Sequence, residues 1–168
     1  MRVTKKRLYW HQLAADRALR ILTFGGQCTY LTDYVTTLGR TIYVPDDFFD
    51  LPPGQAWETL RHEAVHVRQF ERIGWVGMVL LYGLLPLPFV FAYGRARLEM
   101  EAYTETLRAT AELEGIEAAR RPALHAHIIR RFTGPDYAWM WPFPRTVQRW
   151  IDRALSRIEI ELSRQTDG

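Results

Sequence analysis

A chain of 168 residues that is 48% apolar and 13% aromatic holds enough material for one real core and is not disordered. Its net charge of +3 comes from 22 basic residues, 20 of them arginine, interleaved with 19 acids, which leaves no basic footprint for nucleic acid. The single cysteine, Cys28, excludes an internal disulfide and suits a reducing compartment, so a cytoplasmic location is expected.

Residues Met1 to Arg7 are basic but lead into the polar Trp10-His11-Gln12, which is no secretory signal. Residues 1–26 are expected to be a helical N-terminal segment, with a short helix over 16–22. Residues 27–45 read as a β-hairpin. Cys28-Thr29-Tyr30-Leu31 and Thr41-Ile42-Tyr43-Val44 are rich in β-branched and aromatic side chains, and Leu38-Gly39-Arg40 supplies the turn. Pro52-Pro53-Gly54 punctuates the entry to a helix over 54–73. Within it Trp57, Leu60, Ala64, Val67 and Phe70 recur at three- and four-residue steps, and Gly74 is a natural stop.

From 73 to 94 run 22 residues without a charge or a histidine, enough by length to span a bilayer. Pro86-Leu87-Pro88 breaks that run into halves of about twelve residues, each roughly 18 Å as helix and too short for a ~30 Å hydrocarbon layer. The expectation is a helical hairpin over 74–94 that either packs on the core or contacts a membrane surface. A helix over 95–114 follows, stopped by Gly115, and then C-terminal helices over 116–168. One of these runs from Arg121 to Phe132, with Pro122 in its first turn. The other runs from Pro144 to Arg164, with Val147, Trp150, Ile151, Leu155, Ile158 and Leu162 on one face. The expected fold class is α+β in a single domain over 1–168, a small hairpin-containing sheet packed on a mainly helical body.

The chemistry concentrates in His62-Glu63-Ala64-Val65-His66. Histidines four apart on a helix stand one turn above each other, so both imidazoles reach one tetrahedral ion, for which zinc is the usual occupant. Glu63 projects toward the open side of such an ion, where a carboxylate can take a proton from an activated water and give it to a leaving amine. Two histidines do not complete a hydrolytic site, which wants a third protein ligand. Candidates lie in Arg97-Leu98-Glu99-Met100-Glu101-Ala102-Tyr103, where Glu99 and Tyr103 share a helical face and Glu101 points about 200° away.

With these two motifs in this order, the chain resembles the gluzincin metallopeptidases, the clan of thermolysin and of small minigluzincin-like and heat-shock-type peptidases. In that clan one helix carries H-E-x-x-H and a second carries a glutamate ligand, often within E-x-E-A, the form that Glu99-Met100-Glu101-Ala102 matches. The resemblance covers roughly 27–103 and implies that Thr41–Val44, just before the motif helix, is an edge strand with which an extended peptide could pair. It implies a zincin-like domain with one zinc ion per chain, His62, His66 and Glu99 as ligands and Glu63 as general base. Glu101 is the alternative third ligand. Many relatives place an aspartate four residues after the ligand glutamate to orient a histidine. Tyr103 stands there in this chain, so that carboxylate is absent or comes from elsewhere.

Other polar residues are less telling. His125 and His127 lie two apart on a helix and face different ways, and His11 is isolated. The turn-rich stretch 134–142 is either a loop packed on the core or a wall of the cleft, with Tyr137 donating to an oxyanion. No G-x-S-x-G elbow supports serine chemistry. The reading is a zinc metallopeptidase acting on polypeptide, with the apolar hairpin either packed on the core or in contact with a membrane surface. The rival is a non-enzymatic module in which the same ligands hold a structural ion and the hairpin docks a protein partner or a membrane. Glu63 separates the two, because a structural ion has no need of that carboxylate.

Overall fold

The β-branched and aromatic run Thr41–Val44 (β3) forms the middle strand of a three-stranded mixed sheet in a computed structural model of the protein. The structure describes residues 1–22, 24, 26, 28–78, 80–81, 92–134, 140–141 and 143–166. Strand β1, Arg2–Lys5, runs parallel to β3 with Arg2 opposite Thr41. Strand β2, Thr36–Leu38, runs antiparallel to it with Leu38 opposite Thr41, and Gly39 at φ 59 makes the tight turn between them. Among the described residues seven α-helices accompany this sheet, an α+β architecture.

Three expectations are corrected here, the first being that Arg2–Lys5, within the segment expected to be helical, is a strand paired with β3. Residues 28–31 form no strand, since Tyr30–Asp33 is a one-turn helix (α2) whose Thr32 and Asp33 amides both donate to the Thr29 carbonyl. A local turn outcompetes strand propensity where no neighbouring strand is in reach. Nor is β3 an edge strand: its backbone is hydrogen-bonded on both sides, to β1 and to β2.

The chain divides into two compact units, 1–72 and 73–168. In the first, Ile42 and Val44 point from one face of β3 into a core with Phe48 and Val67, joined by Val3, Leu51 and Leu60. Tyr43 points the other way and meets Tyr9 edge-on at 5.1 Å and His11 at 5.3 Å, so both faces of β3 are covered. Helix α1 runs over Trp10–Leu22, starting six residues before the expected helix. Helix α3 is Pro53–Met78, but Gly74 has φ 74 and ψ 172, so the regular helix carrying the H-E-x-x-H motif is broken at the glycine.

In the second unit α4 is Ala92–Glu114, α5 Ile116–Ala119, α6 Pro122–Thr133 and α7 Pro144–Thr166. Leu107, Ile128, Phe132, Val147, Ile151 and Ile158 are buried in its core. On α4, Tyr103, Leu107 and Ala111 recur every four residues and face that core, as an amphipathic helix requires. Arg120 pairs with Glu117 and with Glu159, tying α5 to α7 across the surface. The proline turn expected at 86–88 lies outside the described residues. Among the described residues no helix is long and apolar enough to cross a membrane.

Candidate metal centre

The stripe that buries α3 is partly polar. Trp57 is exposed with Arg61 near its ring, whereas Glu63, His66 and Gln69 are all less than a tenth exposed, beside Val65 and Val67. Three-residue steps put Glu63, His66 and Gln69 along one side of the helix. The rings of His62 and His66 meet edge to face one turn apart, with centroids 5.1 Å from each other. Such a polar line on a buried face is costly unless each group meets a partner or an ion.

Gln69 supplies one such partner. Its Oε1 lies 2.8 Å from Nδ1 of His66 and accepts the proton there, which makes Nε2 the lone-pair nitrogen of that ring. The contact comes from the same helix, three residues on. Its sequence signal was available as a glutamine one turn beyond the second histidine.

Glu63 is held from the sheet. The Thr37 hydroxyl, on β2, donates to its Oε2 at 2.6 Å. Lys6, in the turn that follows β1, is fully buried: its ammonium donates to the Tyr30 carbonyl at 2.7 Å and lies 3.6 Å from the centroid of that ring. Burial lowers the Lys6 pKa to about 8, against the opposing fields of Glu63 and Asp16, which favour the charged form. Burial also raises the Tyr30 phenol above its usual value, with the Asp16 charge adding to the rise and a hydrogen bond to Thr36 opposing it. Neither Lys6 nor Thr37 is prominent in the sequence, because a lysine in a basic run and a threonine in a strand both read as solvated.

Glu99 on α4 is 1% exposed, while Glu101 two residues on is exposed. His62, His66 and Glu99 form a group that could hold a metal ion: one ligand atom from each lies within 4.8 Å of the others. Two imidazole nitrogens and a carboxylate oxygen are a donor set that zinc takes, and a carboxylate as deeply buried as Glu99 is one that a cation stabilises. The donor chemistry therefore fits a divalent ion. Tyr103 is buried with its ring 5.7 Å from that of Phe132. His125 stands apart from the group, its Nε2 3.0 Å from the Ala119 carbonyl and its Nδ1 3.2 Å from Gln148. Tyr137 lies outside the described residues. No family model matches the chain, nor does any curated protein or solved structure.

Proposed function

We propose that the protein is a zinc-dependent peptidase in which His62, His66 and Glu99 hold the ion and Glu63 moves the proton. The observation carrying this reading is that the two histidines of an H-E-x-x-H helix group with a buried glutamate while the motif's own glutamate is separately anchored. When bound, zinc supplies Lewis acidity that polarises a peptide carbonyl and acidifies water. Thr37 engages Oε2 of Glu63, which leaves Oε1 as the oxygen that accepts a proton and later returns it to the leaving amine. Gln69 keeps His66 in the tautomer that ligation needs. An extended substrate pairs with the outer edge of β2, the strand that carries Thr37, since β3 has no edge to offer.

The test is metal content read together with turnover. Purified protein should hold about one zinc per chain; His62→Ala, His66→Ala and Glu99→Ala should lose it, and His125→Ala should keep it. Glu63→Gln should keep the ion and lose about two to four orders of magnitude of activity on casein. Equal zinc in all variants removes the site, and unchanged turnover in Glu63→Gln makes the ion structural.

A further inference from the structure

Helix α1 is amphipathic with its apolar side facing out. Its inward residues include Gln12 and Asp16, 1% and 5% exposed. Gln12 accepts the Tyr30 hydroxyl at 2.6 Å, and Asp16 pairs with Arg20 at 2.8 Å. Its outward residues are Trp10, 79% exposed, Ile21, 75%, and Leu13, 40%, with Leu8 and Phe24 at its two ends 73% and 99% exposed. At 3.6 residues per turn Trp10, Leu13, Arg17 and Ile21 fall within a strip about 80° wide and roughly 16 Å long. Soluble helices put such a strip against a core. A contiguous exposed strip of this kind marks a contact surface.

The charge around it selects the partner. Residues 1–24 contain six basic side chains and one acid; Lys6 is buried and Arg7 and Arg20 pair with Asp46 and Asp16, so the basic excess that faces solvent there is exposed Arg2 and Arg17 with half-buried Lys5. A second copy would bring like charge against like, whereas an anionic lipid surface offers both the opposite charge and an apolar layer beneath it. We propose that α1 is an interfacial anchor that lays its outward face on an anionic membrane surface. Trp10, Leu13 and Ile21 enter the headgroup–acyl boundary, and Arg17, exposed within the strip, extends its guanidinium back to the lipid phosphates. This contact is independent of the uncharged run 73–94 and of the proposed catalysis.

The experiment is flotation of the full chain with vesicles of phosphatidylglycerol and phosphatidylcholine, against phosphatidylcholine alone. Wild type should float with the anionic vesicles, and raised salt should weaken the binding. Trp10→Ser combined with Ile21→Ser should lower the partition coefficient by about tenfold or more, and Arg17→Glu should do so on anionic vesicles. All three positions are exposed, so thermal melts should match wild type. Trp75→Ser combined with Val76→Ser, exposed positions beyond the Gly74 break, should leave binding unchanged. The proposal is overturned if wild type does not float, if it floats equally with neutral vesicles, or if the Trp10/Ile21 variant binds like wild type. Loss of binding in the Trp75/Val76 variant alone, or a lipid-free dimer abolished by the Trp10/Ile21 change, overturns it as well.

Discussion

Gln69 accepts the Nδ1 proton of His66 at 2.8 Å from one turn further along the same helix. Because the acceptor and the ring share a backbone, helical spacing brings them within reach of each other. Orienting groups behind a metal-bound histidine typically contribute 10–100-fold to affinity. Under the zinc-site reading, Gln69→Ala should therefore weaken zinc binding by about that factor in chelator competition, with the far-ultraviolet spectrum unchanged. An unaltered affinity would mean that the contact does not steer the ligand.

Thr37 acts on Glu63 from the sheet. A hydrogen bond to a charged partner contributes about 1.5–3 kcal/mol, and Thr37→Val removes the donor at nearly constant volume. Under the peptidase reading kcat should fall by about tenfold or more with KM little changed, because a positioned base matters in the transition state and not in binding. Zinc content should stay at the wild-type level. A variant with lost zinc or a raised KM would show that Thr37 does something else.

Lys6 gives a pH signature in stability. Its folded pKa of about 8 lies below the 10.5 of a free lysine, because burial disfavours the ammonium more than Glu63 and Asp16 favour it. Between those two values the unfolded chain holds a proton that the folded chain has released, so stability rises with pH across that window. Lys6→Met should abolish the rise. Urea midpoints of both proteins at about pH 8 and about pH 10 measure it, below the range in which the raised phenol of Tyr30 would add a fall of its own. Parallel changes in the two proteins would rule Lys6 out as the source.

Phe132 is fully buried, with the rings of Tyr103 and Trp150 each 5.7 Å from its own. Phe132→Ala should cost about 3–5 kcal/mol in urea unfolding, since a packed helical core closes poorly over a lost ring. A loss below about 1 kcal/mol would mean that the site relaxes fully.

The helices were readable because their apolar residues repeat at a period that only a helix uses. The stripe of α7, Pro122 at the start of α6 and Gly115 after α4 all lie where those rules put them. The sheet was harder to read. Cys28 to Leu31 has the composition of a strand, yet the Thr29 carbonyl gathers a helical turn there, while the short β2 has only Thr36, Thr37 and Leu38 to announce it. Strand β1 hides in a basic run, and its pairing with β3 depends on residues far along the chain that no local pattern encodes. The H-E-x-x-H spacing named its own two histidines, but Gln69, Thr37 and Lys6 acquire meaning only when burial and neighbours are known.

The two neighbours of β3 differ greatly in how far the chain must travel to reach it. From β2 it is a tight turn, Leu38 facing Thr41, and such hairpins close in about 1–10 μs. From β1 it is the length of α1, α2 and β2 together, with a correspondingly larger loop-closure entropy. Of the two pairings, that of β1 with β3 closes the longer loop. Lys6 follows β1 directly, so its ammonium is sealed in only when that strand docks. Lys6 thus reaches its buried place through the long closure, whereas Thr37, which holds Glu63, sits on the strand that the short turn delivers.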